Sequence, residues 1–345
     1  ISVLCFGRGA FTERLKKEGI RHMYLKPPHS VKYRYFHEFL KFNPEVTKII
    51  RREQPGIIYA NCYMAFKLVI PAAEKAGIPV LWHKHIIIEQ SRNSYMGAEI
   101  RKFSKKAAGI ICVSDAVKKS MLDAGAQAGK LVTIHNGISF PPAGVKNNRK
   151  KIRRRYGIKN EMLAGTVGFF RRNKGFDVLI RAASIAAGEN PEIKFIIVGG
   201  AEPSDKDYEE SLKRSVKDNG LSGRVIFTGF QDRFKYMPAF DFFVLPSERE
   251  PFGLVTVEAG AMGLPVAAFN TGGTKEIIKN NVNGILAKDK TPVGLAGAII
   301  TLASDRKKTR MIGREAARQA ARFSIKGQSG RVRELIEKLI KDKNK

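Results

Sequence analysis

The sequence predicts an α/β protein made of two doubly wound domains. Short apolar stretches with strand character alternate with stretches of helical period along the whole chain of 345 residues. One change in composition, a Pro-Pro-Ala-Gly stretch at 141–144 followed by a basic run at 146–151, divides that alternation. Regular alternation favours open parallel sheets with helices on both faces, and the chain is long enough for two cores.

The first domain is predicted to span residues 1–140. Its expected strands lie at 2–6, 21–25, 56–60, 79–82, 109–113 and 131–134, and its expected helices at 11–18, 36–52, 63–76, 100–107 and 116–122. Pro44 is expected to interrupt the second helix or to begin a new one, because proline lacks a helical donor. Ser114 is expected to cap the last helix.

A linker is predicted at 141–150, and the second domain at 151–323. Its expected strands lie at 164–169, 194–198, 225–228, 241–245, 265–269 and 281–286, and its expected helices at 176–187, 204–219, 234–239, 254–262, 291–303 and 306–323, with one more after the loop at 271–273. A last helix at 326–341, within the segment 324–345, is expected to pack toward the first domain.

Charge is the unusual feature of the composition. The formal net charge is +30, which predicts an anionic partner: a membrane surface, a nucleic acid or a negatively charged substrate. The alternative is a basic surface that serves solubility. No apolar run is long enough to span a bilayer. Three widely spaced cysteines predict reduced thiols in a cytosolic protein, and without Cys-x-x-Cys or His-x-x-x-His pairs no metal site is expected.

The stretch 246–276, PSEREPFGLVTVEAGAMGLPVAAFNTGGTKE, has the strongest functional character. Glu258 lies among small and apolar residues of a predicted helix, so a buried carboxylate that needs a polar partner is expected. Glu250 precedes it by eight positions, just before the helix. Free backbone N–H groups and the positive end of the helix dipole suit a phosphate at that point. The alternative is a solvated Glu250 and a Glu258 bonded to nearby backbone.

Basic residues follow the first strand of the second domain, in the segment GFFRRNKG at 168–175. Several cations at a strand end suit a diphosphate. A solvated basic turn is the alternative.

The spacing of Glu250 and Glu258, E-x7-E, closely resembles the donor-sugar motif of the family 4 glycosyltransferases. The segment 168–175 resembles their G-R-x-x-x-x-K-G pattern, and the Thr-Gly-Gly loop at 271–273 follows in the same order. The resemblance covers nearly the whole chain. It implies the GT-B fold, in which two Rossmann-like doubly wound domains face each other across a cleft.

The resemblance implies a donor site on the second domain. Lys174 matches the family lysine that holds the donor diphosphate. Phe169 stands where the family has its arginine, so Arg171 or Arg172 is expected to supply that charge. Glu258 would bind the ribose hydroxyls, and Glu250 would contact the sugar.

Backbone and aromatic groups complete the implied donor site. The backbone at Phe252, Gly253 and Leu254 would lie against sugar and phosphate, Gly199 belongs to a loop resembling the family's Val-Gly-x-Gly, and Phe230 would lie near the base.

The first domain contributes a histidine to the implied site. The segment Trp82-His83-Lys84-His85 follows a strand, and alternation puts both histidines on one side. The family carries a histidine here, near the donor phosphate, and His85 is favoured over His83. The implied catalytic residues are therefore His85, Glu250 and Lys174.

The implied reaction is the retaining transfer of a hexose-type sugar from a UDP-, GDP- or ADP-linked donor to an acceptor hydroxyl. The expected acceptor is a glycan or glycolipid of lipopolysaccharide, exopolysaccharide or another surface glycan. No cofactor and no metal are expected. The basic protein is expected to be cytoplasmic and to dock peripherally on the inner face of the plasma membrane.

One departure leaves alternatives open. Family members begin with a strand, a Gly-rich loop and a helix before the element at 2–6, whereas this sequence starts at Ile1. We expect either a fragment or a protein without that part. The rivals are a nucleotide-sugar-binding GT-B protein with impaired catalysis, a GT-B phosphorylase or epimerase, and a non-specific nucleic-acid-binding protein. The last is motivated by charge alone, and no specific nucleic-acid motif is seen.

Overall fold

Two α/β units make up the protein. The computed structural model describes residues 1–25, 43–89, 93–141, 144 and 147–343. The strands are β1 (Val3–Cys5), β2 (His22–Tyr24), β3 (Ile58–Ala60), β4 (Val80–Lys84), β5 (Gly109–Cys112), β6 (Leu131–Thr133), β7 (Met162–Val167), β8 (Ile193–Val198), β9 (Val225–Phe227), β10 (Phe242–Leu245), β11 (Val266–Phe269) and β12 (Gly284–Ala287).

Helices connect these strands and cover the sheets. They are α1 (Ala10–Lys17), α2 (Asn43–Glu53), α3 (Tyr63–Lys75), α4 (Tyr95–Lys106), α5 (Asp115–Asp123), α6 (Asn148–Arg155), α7 (Phe176–Glu189), α8 (Lys206–Asp218), α9 (Arg233–Tyr236), α10 (Leu254–Ala261), α11 (Thr274–Ile277), α12 (Pro292–Ala303), α13 (Arg306–Ala320) and α14 (Ile325–Lys343). The first part of the helix predicted at 36–52 lies outside the described residues. No helix in the described ranges is both long and apolar enough to cross a membrane.

The first unit differs from the single open sheet that the sequence predicted. Strands β3, β4, β5 and β6 form a parallel four-stranded sheet in that order, whereas β1 and β2 pair only with each other among the described strands. The apolar pattern identifies strands but does not specify which edges pair, so a split into two sheets is not visible in the sequence.

The second unit has the predicted architecture. Its six parallel strands run in the order β12-β11-β10-β7-β8-β9, so that β7, the first strand of this unit, lies inside the sheet. Apolar side chains fill both faces: one cluster includes Phe195 and Ile299, and the other includes Phe243 and Val266. Burial on both faces explains the continuous apolar runs.

Helix α6 begins at Asn148, inside the range predicted as a linker. One of its many basic residues, Arg153, has a structural role. Arg153 is buried, donates to the Glu161 carbonyl at 2.7 Å and forms an ion pair with Asp241 at 3.2 Å. Part of the positive charge is therefore used inside the fold.

Helix α14 packs on the first unit, although it follows the second. Side chains from Val332 onward meet the face of the four-stranded sheet opposite to α3 and α4. The contact joins Leu81, Ile111 and Ile134 of the sheet to Val332, Leu335, Ile336 and Leu339 of the helix. The chain therefore crosses between the units twice.

Candidate active site

Glu250 and Lys174 meet at the carboxyl edge of the second sheet. Glu250 lies in the loop between β10 and α10, and only 8% of its surface is exposed. Lys174 follows the neighbouring strand β7, and its Nζ donates to Glu250 Oε2 at 3.1 Å. The two residues that the sequence identified separately thus form one charged pair at a strand-end crevice, where α/β proteins bind ligands.

The Thr-Gly-Gly loop at 271–273 holds Glu250 in place. The Gly273 N–H donates to the Glu250 carbonyl at 2.8 Å. Gly272 has a φ of +52°, and a Cβ there would lie 2.1 Å from that same carbonyl oxygen. Only glycine fits so close to another backbone in this conformation. The loop therefore acts as a template for the backbone of Glu250.

Helix α10 begins at Leu254, shortly after Glu250, and its N-cap residue Gly253 provides no side-chain cap. Leu254 at its first position is partly exposed, whereas Phe252 is buried against the first unit. The first N–H groups of a helix have no intrahelical acceptor and favour an anion. The arrangement can therefore bind a phosphate beside the carboxylate of Glu250.

Glu258 is buried, as predicted, and its polar partner is Arg233. Two hydrogen bonds of 2.7 Å join the guanidinium Nε and Nη2 to the two carboxylate oxygens. The sequence did not identify Arg233, because it lies 25 residues earlier and follows a different strand. The role of Glu258 toward a ribose stays a prediction.

The two arginines near Lys174 contact Phe169 after β7, the loop after β8, and helix α8. Arg171 forms an ion pair with Glu202, and its guanidinium lies 5.7 Å from the centre of the Phe169 ring. Arg172 lies over the ring of Tyr208, 5.2 Å from its centre. Their expected compensation for the family arginine stays a prediction.

Two exposed aromatic rings border the same crevice. Phe169 and Phe230 have centroids 5.4 Å apart, and about half of each side chain is exposed. Gly199 forms a bridge with Gly229, the neighbour of Phe230; it has a φ of +142°, and a Cβ there would meet the Gly168 carbonyl at 1.8 Å. The open rings offer a flat apolar surface of the kind on which a nucleotide base stacks.

The two histidines at the end of β4 have different environments. His83 is buried and bonded through Nδ1 to the hydroxyl of Tyr59, and burial, followed by the charge of His85, lowers the pKa of His83 to about 3. His85 is half-buried, and its Nε2 lies 3.0 Å from Asn61 Oδ1. Burial, and then the charge of Lys84, lowers the pKa of His85 as well. Both rings are therefore predominantly neutral at pH 7, and His85 is the more accessible one.

Contacts between the two units bring the end of β4 and the Glu250 loop together. Arg249 forms an ion pair with Glu89 at 2.8 Å, and Ser114 Oγ donates to the Pro251 carbonyl at 2.5 Å. Ser114 also caps α5, as predicted, by accepting from the Val117 N–H at 3.0 Å. The carboxyl edges of both sheets therefore border one crevice.

Glu276 is a residue that the sequence left without a role. Its carboxylate accepts from the N–H groups of Asp115 at 2.8 Å and Ala116 at 2.9 Å, at the start of α5, and its Oε2 lies 2.8 Å from His135 Nε2. The partners are more than 140 residues away in the chain, so no local signal reveals them. Glu276 thus caps a helix of the other unit.

Glu276, His135 and Asp115 are also close enough together to be considered as metal ligands. Their ligand atoms all lie within 4.8 Å of one another. These groups already take part in hydrogen bonds: Glu276 and His135 as above, and Asp115 through Oδ1, which accepts from Thr133 Oγ1 at 2.5 Å. The cluster is thus a hydrogen-bonded junction between the units.

Family models match both units. Residues 1–140 match the model described as Glycosyltransferase Family 4, and residues 148–319 match the model described as Glycosyl transferases group 1. Together they cover nearly all of the chain.

Several curated relatives are D-inositol 3-phosphate glycosyltransferases. The protein of Streptomyces avermitilis is 30% identical over 206 residues, which are 57% of this chain and 44% of that protein. The protein of Mycolicibacterium smegmatis is 25% identical over 300 residues, which are 82% of this chain and 68% of that protein. The match to the Acidothermus cellulolyticus protein spans 62% of its length. The matched part of the chain thus spans about half to two thirds of the length of these relatives.

Some solved structures share the fold over nearly the whole chain. Anabaena Alr3699/HepE, crystallised in complex with UDP and glucose, has a TM-score of 0.83 and 27% identity, with 97% of this chain and 91% of that chain covered. The same protein was also crystallised with UDP-glucose. Sucrose-phosphate synthase of Thermosynechococcus elongatus has a TM-score of 0.80 and 22% identity, with 94% of this chain and 84% of that chain covered. This likeness is one of fold alone.

Proposed function

Because the chain belongs to the family 4 glycosyltransferases and has their GT-B fold, we propose that it transfers a hexose-type sugar from a nucleotide-diphosphate donor to an acceptor hydroxyl, with retention of configuration. The observation that carries the proposal is the pair of Glu250 and Lys174 beside the start of α10. This place combines a carboxylate suited to sugar hydroxyls, a cation suited to a diphosphate, and the first N–H groups of a helix, which also suit a phosphate.

The second unit would bind the donor. Lys174 would release Glu250 and hold the diphosphate together with the N–H groups of α10, which stabilise the charge that grows on the leaving group. Glu250 would then accept from the sugar hydroxyls. Glu258 would exchange the bidentate bond from Arg233 for the vicinal ribose hydroxyls, and the base would lie on Phe230 and Phe169.

The first unit would bind the acceptor and contribute His85. A neutral imidazole can donate a hydrogen bond to the sugar or the leaving phosphate without adding a fixed charge. The transition state would have oxocarbenium character. In a front-face mechanism the leaving phosphate takes the acceptor proton, and such a mechanism does not require a bound metal. Closure of the units would exclude water and suppress hydrolysis.

The donor base proposed first is uracil, since Anabaena Alr3699/HepE was crystallised with UDP and with UDP-glucose. The acceptor proposed is a growing cell-surface glycan or glycolipid. Relatives named D-inositol 3-phosphate glycosyltransferases support a hydroxylated acceptor that also carries a phosphate.

Docking on an anionic membrane surface is proposed from the net charge of +30. Electrostatic docking weakens with ionic strength, because salt screens exposed charges over about 8 Å at physiological concentration. We expect vesicles rich in phosphatidylglycerol to bind the protein at low salt and to release it at high salt. Cosedimentation that is unchanged by salt would contradict this account.

Thermal stabilisation by UDP, GDP and ADP, each alone and as a hexose conjugate, tests the donor site. A nucleotide at a hundredfold excess over its dissociation constant adds about 2.7 kcal/mol to the folded state. We expect UDP and its hexose conjugate to raise the melting temperature, and the effect to be lost in Glu258→Ala.

The control is Glu315→Ala, which removes an exposed carboxylate paired with Arg318 on α13. We expect this variant to keep the response to UDP. An absence of stabilisation by every nucleotide would contradict the proposed donor site. Binding without transfer or hydrolysis would instead support a nucleotide-sugar-binding protein that lacks catalysis.

A further inference from the structure

Lys84 is a buried cation that the proposed mechanism does not use. It is the last residue of β4 and is only 3% exposed. Its ammonium lies 5.8 Å from the centre of the Trp82 ring, and no hydrogen-bonding or ion-pairing partner for it occurs among the described residues. A buried charge without a partner in the described part of the chain is costly, and a bound anion would compensate it.

The strand register shows what surrounds Lys84. Lys84 pairs with Cys112 of β5, and Trp82 pairs with Ala60 of β3, two residues before Cys62. Because side chains alternate along strands, Lys84 shares the α3-facing side of the sheet with Trp82 and Cys112. The thiols of Cys112 and Cys62 are close enough to act on its charge.

The start of α3 adds to this positive environment. Cys62 is the N-cap of this 13-residue helix, with its Sγ 3.4 Å from the Ala65 N–H, and it is exposed. The buried indole N–H of Trp82 has no acceptor among the described atoms. Donor groups and positive charge converge here, with the Cys62 thiol as a weak acceptor for one N–H of the first turn. The exposed Cys62 marks the route from solvent.

We propose that Lys84 and the first turn of α3 form an anion subsite that binds a phosphate group carried by the acceptor. The inference rests on the proposed function, because it assigns the acceptor to the first unit. Ammonium groups and helix starts are the groups that proteins use for phosphate. The cation proposed for the donor diphosphate is Lys174 of the second unit, whereas the described strand and helix residues around Lys84 belong to the first unit.

Titration with inorganic phosphate in the presence of saturating UDP tests the subsite, since UDP occupies the donor phosphate positions. We expect saturable thermal stabilisation of the wild type at constant ionic strength. Lys84→Met is expected to lower the phosphate affinity about tenfold or more, as for the loss of a charged hydrogen bond. Lys105→Met, which removes an exposed charge from α4, is expected to change nothing. Equal phosphate affinity in Lys84→Met and the wild type would overturn the proposal.

A second measurement needs no variant. Cys62 is the exposed thiol, whereas Cys5 and Cys112 are buried, so its alkylation by iodoacetamide can be followed by mass spectrometry. We expect phosphate to slow the alkylation of Cys62, and chloride at equal ionic strength to leave it unchanged. Alkylation that is insensitive to phosphate would count against the subsite, even if Lys84→Met failed to fold.

Two further probes identify the source of the phosphate. Soluble glycerol 3-phosphate and phosphatidylglycerol vesicles are each compared between the wild type and Lys84→Met in the UDP-bound protein. Protection of Cys62 that depends on Lys84 supports the proposal and names the source that gave it. If neither probe protects Cys62 in a way that depends on Lys84, the proposal is overturned. Stabilisation by UDP alone tests the donor site separately, so the two proposals can fail independently.

Discussion

Buried charges in the crevice differ in how they are compensated. Glu250 has Lys174, and Glu258 has two bonds from Arg233, so each carboxylate has a cation within the second unit. Lys84 has no such partner in the described part of the chain. Burial lowers the pKa of Lys84 from its ordinary 10.5 to about 8, and the nearby thiols offset this only in part. A residue kept at such a cost indicates function rather than stability.

At the residue scale, we therefore predict that Lys84→Met stabilises the protein at pH 7. The depressed pKa corresponds to about 3 kcal/mol of unfavourable burial of the charged amine, which methionine removes. Between pH 8 and 10.5 the unfolded state binds the proton and the folded state does not, so the wild type gains stability as the pH rises. The advantage of the variant should therefore shrink across that window.

Urea unfolding of both proteins at pH 7 and pH 10 provides the measurement. Lys105→Met serves as the control, since its side chain is exposed and its removal should leave the difference between the two pH values unchanged. A destabilised Lys84→Met at pH 7 would show that the ammonium has a stabilising partner, and would contradict the account of Lys84 as an uncompensated charge.

At the scale of elements, the loop at 271–273 sets the position of Glu250. We predict that Gly272→Ala weakens UDP binding and destabilises the protein by roughly 1 to 3 kcal/mol, the range for local backbone strain. The reason is the positive φ together with the approach of 2.1 Å between the added Cβ and the Glu250 carbonyl oxygen. Thermal unfolding with and without UDP measures both effects.

Gly297→Ala is the matched control for that substitution. Gly297 lies within α12, and a Cβ there would meet no atom within 4 Å. Alanine should stabilise that helix by about 0.5 to 1 kcal/mol and leave UDP binding intact. Equal behaviour of the two variants would contradict a template role for the 271–273 loop.

The sequence predicted the second unit better than the first. Five of its six strands have four to six residues and are almost fully buried, so apolar runs and glycine turns locate them. The two-stranded sheet of β1 and β2 was not predicted, because three-residue strands carry little information about their neighbours. Helix α6 was predicted as a linker because its sequence is very basic. The burial of Arg153 depends on bonds to Asp241 and Glu161, and the spacing of apolar residues gives no sign of these bonds.

The candidate site shows the same limit. Glu250 and Lys174 were found from motifs, and the burial of Glu258 followed from its apolar neighbours. Arg233 and Glu276 were not found, because their roles depend on contacts between segments that meet only in the folded chain. Sequence patterns thus selected residues that the fold brings together, such as Glu250 and Lys174, but not the groups that hold them in place.

At the scale of the whole molecule, Glu276 joins the two units. It belongs to the second, yet it caps α5 of the first and bonds to His135. We predict that Glu276→Gln loosens this junction, because an amide N–H would face the backbone N–H groups of Asp115 and Ala116. The loss of a helix cap costs about 1 kcal/mol. Small-angle scattering should show a larger radius of gyration, and limited proteolysis should be faster.

Glu315→Gln controls for the change in charge, since Glu315 pairs with Arg318 on the same helix. It should leave both the scattering and the proteolysis unchanged. If Glu276→Gln behaved in the same way, the carboxylate would not be what keeps the units together, and the contacts of Ser114 and Arg249 would suffice.

Helix α14 has a consequence for synthesis of the protein. The apolar face formed by Leu81, Ile111 and Ile134 is covered by side chains that lie about 200 residues later, up to Leu339. While the ribosome is still making the second unit, the first unit has its strands but not its cover. This apolar face therefore stays exposed to solvent until the whole second unit has been translated. Chaperone capture of the nascent chain is therefore expected to persist until α14 has left the exit tunnel.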